Sequence, residues 1–336
     1  MGFRRPDRIP VEYCPSPTGL HEHGERLKDL WGRYPHDFGD LGGLPVPQPD
    51  PRWLAPDGSY RERRRDEWGI LWEHNIFGAA GHPVERPLDD WSALDRFTVP
   101  PVPPCQGPEF EAEQRRAARH RERYYLKDGW LSIFELMHGL RRFEDVLMDI
   151  EDDAPEANRL ADILLERRLA EVSRMLKRGV DGVQIGDDFG TQAGLMLSRQ
   201  TWRRFFAPRY GRLVEAIHAG GASAMYHTCG MAWDLLDDLA GAGMDALWPQ
   251  LACYDVAALA ARCRDLGVAV AIHPDRAHLM TRGSPDDVRR TVFGLAETFR
   301  ADEGGAWFYV EVDTGFPFEN IEALVTAIAD LRGVRV

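Results

Sequence analysis

Gly179-Val-Asp-Gly-Val-Gln-Ile-Gly-Asp-Asp188 is the stretch whose reading decides the fold. Upstream, Pro155–Lys177 carries Leu160, Ile163, Leu164, Val172, Met175 and Leu176 at helical spacing. Gly179 then stands where a helix C′ residue belongs. Downstream, Gly182–Gly186 is a short, side-chain-poor apolar run that ends in two aspartates. That is the profile of a buried strand with polar residues at its C-terminal end. The same grammar returns at Gly243-Met-Asp-Ala-Leu-Trp-Pro-Gln250, after a helical stretch around Leu235–Ala242. Helix, glycine, apolar residue, aspartate and strand in that order form a βα repeat.

Working outward, further strands are expected at Ser223–His227, Val268–His273 and Trp307–Asp313, and an apolar run at Trp130–Glu135 precedes a helical pattern to about Ile150. Ser284-Pro-Asp-Asp287 reads as a helix start, with an N-cap serine, proline in the first turn and acid behind it. A last helix opens near Pro317-Phe-Glu-Asn320. Strands separated by single helices imply parallel crossovers. Roughly seven strand candidates fit a closed barrel better than an open sheet. The expectation is therefore a single α/β domain over residues 1–336, a (β/α)8 TIM barrel. Its βα repeats occupy 111–336. Residues 1–110, rich in proline, tryptophan and charge, form an irregular N-terminal extension.

Composition narrows the function classes. With 336 residues, 44% hydrophobic and 28% charged, the chain can bury a large core and shows no signature of disorder. A formal net charge of −13 argues against nucleic-acid binding. No apolar run approaches the length of a membrane span, and Met1-Gly-Phe-Arg-Arg5 is not followed by the apolar core of a signal peptide. The five cysteines, an odd number without a framework of spacings, suit a reducing compartment. These features together predict a cytoplasmic protein, and the N-terminal extension leaves room for an oligomer interface or a lid. The Arg61-Glu-Arg-Arg-Arg65 run reads as a solvated segment.

In barrels the chemistry gathers at the C-terminal ends of the strands. Here those ends carry Asp187, Asp188, His227, Cys229, Gln250, His273, Glu311 and Asp313. Tyr226-His-Thr-Cys-Gly230 is the sharpest signal. Residues i and i+2 of a strand share a face, so His227 and Cys229 can reach one point. Imidazole and thiolate together suit zinc. Cys253 and Cys263 lie in a loop and a helical stretch, so a third ligand is expected to be an oxygen or another histidine. Glu311 is preferred, because it shares a face with Asp313 in Phe308-Tyr-Val-Glu-Val-Asp313 and needs a partner to offset desolvation. His273 is a further candidate, as ligand or as catalytic group. Asp187 and Asp188 point opposite ways, and Asp188 is favoured for acid–base work beside His273. Asp187, Gln250, Asp313 and Tyr226 remain as candidate substrate-binding groups.

These residues bring a family into view. Asp187-Asp-Phe-Gly-Thr-Gln192, Leu197-Ser-Arg-Gln-Thr-Trp-Arg-Arg-Phe-Phe-Ala-Pro208 and His227-Thr-Cys-Gly230 resemble the uroporphyrinogen decarboxylase superfamily. Asp66-Glu-Trp-Gly69 and Pro317-Phe-Glu-Asn-Ile321 fit the same pattern, and the likeness runs from about 60 to 330. The resemblance is closer to the cobamide-dependent methyltransferase branch, the O-demethylase-like enzymes included, than to the true decarboxylases. It implies a barrel with its site at the C-terminal mouth and a Zn2+ held by His227, Cys229 and a residue on a late strand. That third ligand is often a cysteine shortly before the Pro-x-Glu-Asn segment. Here Val310-Glu-Val-Asp313 stands in its place, which keeps Glu311 in front with Asp313 behind it. The decarboxylases carry an arginine-rich first-strand segment, whereas this chain reads Val11-Glu-Tyr-Cys-Pro-Ser16. The resemblance thus implies methyl transfer between a small molecule and a methylcobamide (cobalamin) supplied on a partner corrinoid protein. Two alternatives stand beside it: a metal-free decarboxylase of a porphyrinogen-like or smaller carboxylate, and a non-catalytic binding barrel.

Overall fold

A computed structural model describes residues 2–334. Its main sheet has seven parallel strands in the order β1-β10-β9-β8-β7-β6-β5. These are β1 (Val11–Cys14), β5 (Lys127–Leu131), β6 (Gly182–Gly186), β7 (Ser223–Thr228), β8 (Ala246–Pro249), β9 (Ala269–Ile272) and β10 (Ala306–Glu311). The remaining strands, β2 (Glu62–Arg65), β3 (Leu71–His74) and β4 (His82–Glu85), form a separate antiparallel sheet. Between β5 and β10 each strand is followed by at least one helix before the next, which is the crossover the βα grammar requires.

The sheet is curled, with two faces of different composition. Val183, Ile185, Ala224, Tyr226, Leu247, Val270, Ile272, Phe308 and Val310 pack outward into the helix layer. Their period-2 neighbours Met225, Ala246, Ala269, Ala271, Trp307 and Tyr309 form a second, inner cluster, with Cys14 and Trp248 packed against it. Alanines on β8 and β9 leave room for the Trp307 and Tyr309 rings. Inside the curl Lys127 pairs with Glu12 at 2.5 Å, bringing the two edge strands' charges together. One residue bridges those edges by backbone: Asp37 donates its N–H to the Val11 carbonyl and accepts the Tyr125 N–H, each at 2.9 Å.

The local signals act as the sequence suggests. The helix Pro155–Arg178 ends at Gly179 in the left-handed region (φ 95°, ψ 52°). Ser284 and Asp287 form a reciprocal capping box on the helix Pro285–Thr298. The first 110 residues carry short elements among loops. Val11–Cys14 is a strand of the main sheet, Pro17–Arg33 is a kinked helix, and residues 62–85 are the antiparallel sheet. The Arg61–Arg65 run is an edge strand whose Arg63 and Arg65 pair with Glu73 and Glu85. Strand alternation is weak in Arg-rich sequence, so the run reads as a solvated segment when taken alone. All five cysteines are free thiols. Among the described residues no helix is long and apolar enough to cross a membrane.

Candidate metal centre

β6 and β7 run side by side with Gly186 opposite His227. Alternation places Asp187 on the helix side and Asp188 on the inner side, next to His227 and Cys229. Asp187 is fully buried. Its carboxylate accepts the backbone N–H of Ile133 (2.7 Å), Phe134 (3.1 Å) and Glu135 (2.7 Å), and the Tyr210 hydroxyl. Burial pushes its pKa up, and those donors work against that push. With its acceptors taken, Asp187 holds the segment after β5 and does not face the inner side. Tyr226 is on the same outer face, where its hydroxyl donates to the Asp187 carbonyl at 3.2 Å. The structure brings neither Asp187 nor Tyr226 into the cavity.

Asp188, His227 and Cys229 do come together. One ligand atom of each lies within 4.8 Å of the others, the only such group of three among the described residues. Cys229 Sγ is 3.3 Å from His227 Nε2, and Asp188 Oδ1 is 3.7 Å from the same nitrogen. The Cys229 backbone N–H donates to Asp188 Oδ1 at 2.6 Å, tying the two loops together. His227 Nδ1 lies 2.9 Å from the Trp248 carbonyl oxygen, an acceptor, so the ring proton belongs on Nδ1. The lone pair of Nε2 is then free for a metal, with the carbonyl as the orienting outer partner.

Two glycines make the geometry possible. Gly230 has φ 72°, and a Cβ there would stand 2.2 Å from the Gly190 carbonyl oxygen. The loops after β6 and β7 therefore meet glycine on glycine, which accounts physically for both Asp-Asp-Phe-Gly and His-Thr-Cys-Gly. Gln250 reinforces the turn by accepting the Gly230 N–H at 2.9 Å. It serves the backbone of the cysteine loop and also borders the cavity.

Burial drives His227 down to about 4 and the Cys229 thiol up to about 12, the latter aided by the negative charge of Asp188. Without a cation, a thiolate and a carboxylate so close would repel. A bound dication removes that penalty, and nitrogen, sulfur and oxygen in one corner match zinc's preferences. The donor set therefore fits the ion.

A cavity of about 350 Å³ opens over His227 and Cys229, lined also by Trp248, His273, Arg276 and Asp313. Glu311 is not in the three-residue group. It and Asp313 flank Arg276, at 3.4 and 2.9 Å. Burial, with Asp313 nearby, raises the Glu311 carboxyl. Sequence reasoning supplied the right strand face for Glu311, but a cation was already at hand. Arg276, Trp248 and Glu135 were missed. Glu135 is raised to about 8 by burial and by Asp187 and Asp188. Nothing in its local pattern marks it, because it is placed by the turn that Asp187 caps.

The other motif pieces are structural. The Asp66 carboxylate accepts the N–H of Trp68 and Ile70 and the Trp72 indole N–H. The buried Asn320 amide donates to the Met280 and Gly283 carbonyls, docking the last helix beneath the loop that follows β9.

The family model for uroporphyrinogen decarboxylase (URO-D) matches residues 129–331, more than half of the chain. Among solved structures, a methyltransferase from Methanosarcina mazei superposes with a TM-score of 0.56 at 16% identity, covering 80% of this chain and 75% of that one. A B12-independent methionine synthase from Shewanella sp. W3-18-1, in complex with selenomethionine, gives a TM-score of 0.45 at 13% identity over 82% and 74% of the two chains. A dihydropteroate synthase from Xanthomonas albilineans, in complex with 7,8-dihydropteroate, gives 0.36 at 14% identity over 63% and 76%. At 16% identity the first is a likeness of fold alone. No curated protein matches the sequence.

Proposed function

The chain belongs to the uroporphyrinogen decarboxylase family, and from that premise we propose that it is a zinc-dependent methyltransferase or demethylase. In this reading residues 1–336 form one domain and the curled sheet is a (β/α)8 barrel. The segment around Asp37, hydrogen-bonded to both edge strands, serves as its eighth stave. The observation that carries the function is the meeting of Asp188, His227 and Cys229 beneath the cavity, with Nε2 of His227 free of its proton.

His227 and Cys229 would hold the ion, and Asp188 takes the third position that the sequence alone assigned to Glu311. A zinc ion bound there supplies Lewis acidity to the heteroatom of a methylated substrate or of a thiol acceptor. Asp188 also holds the cysteine loop in place through the Cys229 N–H. The methyl group's other station, a methylcobamide on a partner corrinoid protein, follows from the family branch that the motif resembles.

Charge around the cavity favours this over a polycarboxylate decarboxylase. Among the described lining residues the one guanidinium, Arg276, is already flanked by Asp313 and Glu311, and Asp275 adds further negative charge. A substrate with several carboxylates would meet repulsion there. Metal analysis of the purified protein tests the proposal. Stoichiometric zinc is expected, and the double change His227→Ala/Cys229→Ala should abolish it. Zinc absent, or retained by the double variant, would end this reading. Release of CO2 from a porphyrinogen by the metal-free protein would replace it with the decarboxylase.

A further inference from the structure

His227 and His273 border one cavity, and a single tryptophan stands between them. The parallel register sets Trp248 of β8 opposite His227 of β7, and His273 follows directly on the end of β9. The indole is held firmly, with its ring centroid 4.1 Å from that of His227 and 4.1 Å from that of Tyr309. Two hydrogen bonds of opposite sense leave this residue. Its carbonyl oxygen accepts from His227 Nδ1 at 2.9 Å, and its indole N–H donates to His273 Nδ1 at 3.1 Å.

The chemistry of the groups settles what each ring can be. A carbonyl only accepts, so His227 carries its proton on Nδ1 and presents a lone pair at Nε2. An indole N–H only donates, so His273 Nδ1 is the acceptor. An imidazolium has N–H on both nitrogens and could not accept there. His273 is therefore a neutral ring with its proton on Nε2. That Nε2 is buried and has no hydrogen-bond partner among the described residues, while His273 lines the cavity. Buried N–H groups in folded proteins are mostly partnered, and the cavity that His273 lines is the place from which an acceptor for this one would come.

We propose that Trp248 is a positioning residue that locks the two histidines in opposite tautomers. His227 is thereby kept as a lone-pair ligand, and His273 as a fixed, neutral hydrogen-bond donor to an acceptor atom of the substrate. The substrate class is an uncharged molecule with an ether, carbonyl or similar oxygen, in keeping with the committed Arg276 and the acidic rim. His273 binds and orients, and does not carry a proton through the reaction. The inference rests on the reading that this cavity receives the substrate.

Nitrogen-15 NMR of the histidine-labelled zinc-loaded protein reads the tautomers directly. The pyridine-like resonance should belong to Nε2 of His227, shifted by the metal, and to Nδ1 of His273. Between pH 6 and 8, typical working values for such an assay, His273 should not change. Trp248→Phe keeps the backbone carbonyl and an aromatic ring but removes the indole N–H. It should leave zinc content and the His227 tautomer as they are, while the His273 signals move to those of a mixed or exchanging tautomer. The wild-type spectrum alone decides the tautomers should that variant fail to fold. Titration with 1,2-dimethoxyethane, a neutral ether, should shift the His273 Nε2–H saturably and leave exposed imidazoles such as His82 unmoved. An Nδ1–H or imidazolium His273, a Trp248→Phe spectrum identical to wild type, or an ether response no different from that of His82 overturns the proposal. Loss of the zinc reading leaves a separate mark, because the Trp248–His273 contact contains no metal and should persist after chelation.

Discussion

At the scale of single residues, the question that the sequence left open was which oxygen joins His227 and Cys229. Strand alternation allowed Glu311, and an unpaired carboxylate inside the sheet would have needed a cation. Arg276 supplies one, whereas Asp188 stands beside the histidine and shares an oxygen with the Cys229 N–H. Asp188→Asn should therefore weaken zinc by at least tenfold, about 1.4 kcal/mol, while Glu311→Gln keeps full stoichiometry. Competition against a chromophoric chelator measures both, and the reverse ranking would return Glu311 to the site. The thiol adds a second expectation. Burial and Asp188 hold Cys229 up near 12 and burial holds His227 down near 4. At pH 7.5 the imidazole is already neutral and the thiol still protonated, so zinc binding should release about one proton. Calorimetry in buffers of different ionisation enthalpy counts it, and a count near zero would mean that the sulfur is not a ligand.

At the scale of elements, the site depends on two loops meeting without side chains between them. A Cβ at Gly230 would press on the Gly190 carbonyl from a left-handed backbone. Left-handed geometry alone costs a non-glycine residue roughly 1–2 kcal/mol. Gly230→Ala should thus lower thermal stability by at least that much and reduce zinc affinity, because the same turn aims Cys229. Thermal melts with and without zinc check this, and a variant of unchanged stability would mean that the loops have slack. Asp187 acts at this scale too. It is a candidate substrate-binding group in the sequence, yet its carboxylate serves the segment after β5 and Tyr210.

For the whole molecule, the two edge strands of the curl meet through the segment that holds His36 and Asp37. Buried His36 accepts the Tyr13 N–H on Nδ1, and burial holds its pKa at about 4. The unfolded chain takes up that proton near pH 6.5. Between those values the unfolded state binds more protons, so stability is complete above pH 6.5 and falls as the medium is acidified. One such group contributes about 1 kcal/mol per pH unit within that window. His36→Asn keeps an acceptor for Tyr13 and removes the titration. Chemical denaturation at pH 7 and pH 5 should show a smaller acid loss than in the wild type, and an equal loss would place the sensitivity in other buried histidines such as His227 and His273.

The sequence by itself determined the βα repeats, the caps at Gly179 and Ser284, the family, and the shared face of His227 and Cys229. Each of these follows from periodicity or from neighbours within a few residues along the chain. Only the tertiary structure decided the rest. It set Asp188 beside His227 and Cys229 and Glu311 beside Arg276, turned Asp187 and Tyr226 into the helix layer, joined β1 to β10 and set Trp248 between two histidines. Those outcomes depend on which strands lie side by side and in what register. They also depend on whether a distant cation such as Arg276 reaches a carboxylate first. Local pattern carries no record of that competition, because its partners lie on different strands and loops and meet only when the sheet curls.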